Sequence, residues 1–223
     1  AEFHFAFCMR IIKEAPIFEF SHYLLVQLII SRLSISLKRL DRDLATKLVD
    51  ELLESCPKMG LEAYHNFYPF IVQKLQQYYV LFGSLKTAES YNRDLEKLYR
   101  FYEDGNHKSF LCKIAYQVAH FYFRAGDYDQ VISWIQTLWQ YRNFLPEIIQ
   151  NSARLLEVAT HFELGNHELL TNLINAYYRF LKSKNHLGKK EKAFIRFVQK
   201  NYFWDLDQPE MIRNIRQLLA KEE

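Results

Sequence analysis

The six glycines of this chain punctuate it at near-even intervals. Gly60, Gly83, Gly105, Gly126, Gly165 and Gly188 stand 23, 22, 21, 39 and 23 residues apart. Pro146 nearly bisects the long gap, and Pro209 follows Gly188 by 21. Helix breakers therefore recur every 19 to 23 residues from position 60 onward. Glycine suits the left-handed residue that closes a helix, and proline suits a first helical turn. Helix, tight turn and helix then repeat with a hairpin period of about 40 residues.

The segments between breakers carry helical periodicity. After Gly126, the residues Tyr128, Val131, Ile132, Ile135, Leu138 and Trp139 recur at i, i+3, i+4, i+7, i+10 and i+11. Leu170, Leu173, Ile174, Tyr177 and Leu181 follow Gly165 in nearly the same way, and Tyr64, Phe67, Tyr68, Ile71, Leu75, Tyr78 and Phe82 trace a stripe between Gly60 and Gly83. Pro69 inside that stripe predicts a kink or a split. Upstream of 60, helices are predicted near 17–39 and 42–55, broken around Asp41 and Pro57. EFHFAF alternates like a strand but joins Ile11 in a helical pattern, and SRLSIS tolerates a strand. With 18 Phe and 15 Tyr against only 6 Gly and 5 Pro, the 223 residues favour long helices packed through large side chains.

Two turns echo each other. HFYFRAGDYDQVISWI and ATHFELGNHELLTNLI align on Gly126 and Gly165, each with an aromatic ring four residues earlier (Tyr122, His161) and Asp or Asn directly after. Each glycine is expected to end one helix at positive φ. Asp127 is expected to cap the next, with Gln130 completing a capping-box pattern. Asn166 and Asn106 are expected to play the same part within two GNH triplets. The motif reads as a joint between helices.

VAHFYFRAGDYDQVISWIQTLW resembles a tetratricopeptide repeat, or TPR, in its bulky residues, in Tyr122 and in the GDY that follows, with Val131 and Leu138 replacing the small residues of the second repeat helix. ARLLEVATHFELGNHELLTNLINAYYRFLKSKN, with EKAFIRFVQ after it, resembles the C-terminal part of bacterial helical-repeat proteins of the Bacteroidetes, a family without an assigned activity. The likeness spans roughly residues 105–200. It implies a TPR-like fold and a chain that is the C-terminal part of a longer protein, and the opening Ala1, in place of Met, agrees with a start further upstream. It also implies that the first helix of each hairpin lines an inner groove, which Lys113, Tyr116, His120 and Phe123 would face. Tyr116 and His120 stand where the Lys/Asn clamp for a peptide carboxylate would be in some TPR proteins.

Motifs for catalysis do not stand out. HExxH, GxSxG, GxGxxG and GxxxxGK[ST] are absent, and the pairs Asp41/Asp43, Asp127/Asp129 and Asp205/Asp207 diverge on a helix and sit beside predicted breaks. His161 reads as a packed histidine, and neither a metal nor a cofactor is expected. Cys8, Cys56 and Cys112 are odd in number and far apart, which points to a reducing, cytoplasmic setting. The most apolar run, Tyr23 to Ile30, is too short to span a bilayer.

Charge is uneven although the net value is only +3. Arg179, Lys182, Lys184, Lys189, Lys190, Lys192, Arg196 and Lys200 face a single anion, Glu191, in that window. Lys189, Lys192, Arg196 and Lys200 share one helix face, opposite Phe194, Ile195, Val198 and Tyr202. The simplest reading is an amphipathic helix with a hydrated basic side; an acidic partner or a nucleic acid would also use it. Trp134 lies off the Val131/Ile135/Leu138 stripe, as an anchor for the next repeat or for a partner.

The whole predicts an all-α, right-handed array of about nine or ten antiparallel helices in hairpins, a TPR-like α-solenoid. Residues 1–60 would form N-terminal helices and 61–223 the hairpin array, as one domain. The expected function is a protein-interaction scaffold without catalytic activity, binding a protein or peptide. The alternative is a regulatory or nucleic-acid-associated module using the basic 179–200 face.

Overall fold

The computed structural model describes residues 18–59, 61–105 and 107–201, and all regular structure among them is helical. Among the described residues nine α-helices follow one another: α1 Phe18–Arg39, α2 Arg42–Ser55, α3 Leu61–Phe82, α4 Leu85–Tyr102, α5 Lys108–Ala125, α6 Tyr128–Gln140, α7 Glu147–Glu163, α8 His167–Ser183 and α9 Lys189–Asn201. Single 3₁₀ turns at Cys56–Lys58 and Arg142–Phe144 follow α2 and α6. The expected N-terminal helix at 3–11, with Cys8, and the Asp205/Asp207 pair lie outside the described residues. No described helix is long and apolar enough to cross a membrane.

Local chemistry explains the boundaries. SRLSIS is helical because its serines satisfy themselves on the helix: the Ser31, Ser34 and Ser36 hydroxyls donate to the Gln27, Ile30 and Leu33 carbonyls. Asp41 starts α2 by accepting from the Leu44 amide at 3.1 Å, and Asp127 starts α6 by accepting from the Gln130 amide at 3.2 Å. Gly126 and Gly165 take positive φ of 78° and 66°. Leu40 and Asn185 do so without being glycine, at 56° and 55°. Each is held by paired back-bonds onto its helix: Asp41 N–H to Ser36 O and Leu40 N–H to Leu37 O at one end, His186 N–H to Leu181 O and Asn185 N–H to Lys182 O at the other.

Two expectations are corrected. Asn166 makes no side-chain cap; its Nδ2 lies 3.1 Å from His161 Nδ1, so it ties down the helix before the turn. Asn106 lies outside the described residues. Of the kink or split expected at Pro69, the split does not occur, because α3 runs unbroken through it. A missing amide bond is tolerated there because Pro69 is itself buried and Tyr64, Phe67 and Phe70 make ring contacts on both sides of it.

The chain divides between Ala125 and Gly126 into two compact units. In the first, α3 pairs antiparallel with α4: Tyr68 bonds Asp94 at 3.0 Å, Gln76 reaches Asn92 at 3.5 Å, and the Tyr79 and Tyr91 rings stack. Partners rise together between α3 and α5, which therefore run parallel: Phe70 meets Phe110, Gln76 Nε2 donates to the Gln117 carbonyl at 3.0 Å, and Val80 clusters with Phe121. These pairs are 40 or 41 residues apart, one hairpin period. Tyr23 of α1 meets Phe67 of α3 in the same sense, 44 apart. Leu25, Val26, Ile29, Leu33, Leu48, Leu52, Ile71 and Leu75 form the main core of this unit.

In the second unit, α7 runs antiparallel to both neighbours. Trp139 and Tyr128 of α6 meet Arg154 and Glu163 of α7, while Glu147 at the start of α7 meets Lys184 just past the end of α8. Val158, Leu170, Ile174, Tyr177, Leu181, Ile195, Phe197 and Val198 close its core.

Candidate functional site

α1, α3 and α5 share a face in the first unit, and a cavity of about 230 Å³ opens on it. Its lining comes from one end of α1 (Ser34, Leu37, Lys38), from α3 (Lys74, Gln76, Gln77, Leu81) and from α5 (Tyr116, Gln117, His120). Polar chemistry holds the wall in place. Gln76 is 1% exposed and bridges to the Gln117 carbonyl and to Asn92; Asn92 Nδ2 donates to Glu96, and the Tyr122 hydroxyl donates to the same Glu96 oxygen at 2.7 Å. A hydrogen-bond chain, buried at Gln76 and Asn92 and half-buried at Glu96, thus runs from the cavity to Tyr122, the ring of the echoed turn. Such a network rigidifies when each member is satisfied.

Electrostatically the cavity is one-sided. Burial, then the nearby Lys38 and Lys113 ammoniums, hold Lys74 below the ordinary lysine value. Burial, then Arg124, holds His120 below the ordinary histidine value, which favours its neutral imidazole. Lys74 Nζ donates to Gln77 Oε1 at 3.0 Å, and none of the three lysines is paired with a carboxylate of the described residues. Gln117 Oε1 is buried without a hydrogen-bond partner.

The structure therefore brings Lys113, Tyr116 and His120 onto one face of α5, with the Tyr116 and His120 rings 6.3 Å apart. Phe123 lies half-buried on the same helix. Trp134 is half-buried on α6, in the other unit. Lys38, Lys74, Gln76 and Gln117 are the members sequence reasoning missed. A signal existed: Lys38, Lys74 and Lys113 are 36 and 39 residues apart, close to the hairpin period.

The second unit carries the predicted basic run. Arg179, Lys182, Lys189, Lys192 and Arg196 are exposed, while Ala193, Ile195, Phe197 and Val198 are buried and Phe194 is half-buried against the core. Lys184 is exposed but pairs with Glu147 at 3.4 Å. Lys192 and Arg196 line a cleft with Asn175, Tyr178 and Gln199. The side chain of Lys200 lies outside the described part.

Other reactive groups are packed. Cys56 and Cys112 are buried, and burial pushes the Cys56 thiol up to about 11. His161 is 7% exposed against Asn166. Among the described residues no three His, Cys, Asp or Glu gather closely enough to hold a metal ion. Compared with known proteins, the chain matches no family model, no characterised sequence and no solved structure.

Proposed function

We propose that the chain is a TPR-like helical-repeat module, a right-handed array of hairpins that binds another polypeptide on the face shared by α1, α3 and α5. The observation behind this reading is the parallel pairing of α3 with α1 and α5 at an offset of 40 to 44 residues. Stacking of that kind sets the first helices of successive hairpins side by side, the arrangement by which repeat proteins make an extended surface. Lys113, Tyr116 and His120 stand on that face, as the TPR resemblance implies. The reading assigns no catalytic step.

A photo-crosslinking amino acid at Lys113 tests it, with the same group at Lys97 on α4 as control. Both side chains are exposed, so neither replacement disturbs the core. Irradiation in the native cell should give discrete protein adducts from position 113 that position 97 does not give. No adducts, or the same adducts from both, would sink the proposal.

A second reading is favoured by a separate observation, the exposure of Arg179, Lys182, Lys189, Lys192 and Arg196 over a buried apolar side. On it the 179–200 face serves a regulatory or nucleic-acid-associated role.

A further inference from the structure

We propose that the cavity between α1, α3 and α5 seats one carboxylate, the side chain of an aspartate or glutamate in a partner polypeptide, with Lys74 as its counter-ion and Lys38 and Lys113 flanking it. This rests on the reading of that face as the partner-binding surface and narrows the partner to an acidic one.

Charge is the first support. Lys38 and Lys74 line the cavity from two helices, Lys113 on a third lies near enough to act on Lys74, and no carboxylate of the described residues pairs with any of them. A desolvated ammonium set between two others creates a local field that an entering anion relieves. Lys74 spends one donor on Gln77 Oε1, and an ammonium carries three.

Shape and the remaining polar groups point to a polypeptide. About 230 Å³ accommodates a carboxylate side chain with a little adjoining backbone. Leu37, Leu81 and Tyr116 give its methylenes an apolar wall. Gln117 Oε1 is an acceptor in want of a donor, and a peptide N–H beside the carboxylate supplies one. Phosphate fits less well. No arginine lines the cavity, and Lys38 sits in the last turn of α1, where the carbonyl end of the helix disfavours a dianion.

Occupancy has a spectroscopic signature. Burial and like charge lower Lys74, so a bound carboxylate acts in reverse and raises it. The test uses the whole chain at low salt with a short, end-capped Gly/Ala peptide carrying one central glutamate, its glutamine counterpart, and inorganic phosphate. NMR of isotopically labelled lysine follows both binding and the titration of Lys74. The glutamate peptide should bind about tenfold or more tightly than the glutamine peptide and move the Lys74 midpoint upward. Lys74→Gln should erase that preference. The double variant K38Q/K113Q, altering only exposed side chains, should weaken it even if Lys74→Gln fails to fold.

Equal binding of the two peptides, no binding of either, or an unmoved Lys74 midpoint would each overturn the carboxylate seat. Tighter binding of phosphate than of the glutamate peptide would overturn it in favour of a phosphate site. Crosslinking at Lys113 decides the face separately: glutamate preference without adducts removes the face and keeps the seat, and adducts without glutamate preference do the reverse.

Discussion

The lysine trio of the first unit and the basic side of α9 in the second use the same chemistry in opposite settings. Lys189, Lys192 and Arg196 are exposed, and water hydrates each charge. Lys74 is half-buried between Lys38 and Lys113. A hydrated run attracts anions at long range and yields to salt, within a Debye length of about 8 Å at physiological ionic strength. A half-buried ammonium beside two exposed ones makes a short-range demand for one counter-ion. Charge density along the sequence is therefore a poor guide to which cations are chemically poised.

The largest effect that could break this comparison is on polyanion binding. Changing Lys189, Lys192 and Arg196 together to glutamate should lower affinity for duplex DNA about a hundredfold or more at low salt, with the salt slope falling by about 0.9 per lost phosphate contact. Filter binding across a salt series measures both. The variant K38Q/K113Q should leave them nearly unchanged, and the opposite ranking would erase the distinction between the two regions.

Stability of the cavity wall comes next. Gln76→Ala removes the donor to the Gln117 carbonyl and opens space at a fully buried position, for a loss of about 3 kcal/mol in urea unfolding. A loss below about 1 kcal/mol would mean that the amide chain does not hold the wall.

Smallest and opposite in sign is the relief of buried charge. Lys74 has a lowered value in the fold, so its protonation opposes folding. That penalty is complete below the folded-state midpoint and fades as pH climbs into the ordinary lysine range. Lys74→Met should therefore stabilise the protein at pH 7, with the gain shrinking at alkaline pH. Lys192→Met should stay within about 0.5 kcal/mol at every pH. Thermal unfolding of both variants at neutral and alkaline pH distinguishes them, and equal shifts would show the two lysines to be alike.

Much of the architecture was legible because helix ends are local events. Gly126, Gly165, Asp41 and Asp127 act where their chemistry says they should, the predicted helix 42–55 agrees with α2, and the predicted end at 39 agrees with the end of α1. Leu40 and Asn185 escaped notice because paired back-bonds hold their left-handed turns without glycine. Asn166 shows how an echoed position can keep its backbone and change its bond. The cavity was half legible. Tyr116 and His120, which line it, were among the four residues the TPR resemblance implied, with Lys113 and Phe123, but Lys38 and Lys74 depend on which residues of three helices face one another. Gln76 and Gln117 look like surface residues in any one-helix reading, and only tertiary pairing buries them.

The parallel pairing of α3 with α5 also bears on how the chain finds its fold. The hydrogen bonds and ring contacts described between helices of the first unit join residues no more than 44 apart. Closing the 41-residue span from Gln76 to Gln117 costs only about 0.8 kcal/mol more than closing the 16-residue span from Gln76 to Asn92, because loop entropy grows with the logarithm of length. A third helix is thus nearly as cheap to recruit as the second. Order can begin at any hairpin of this unit and spread to its neighbours, without waiting for distant parts of the chain to meet.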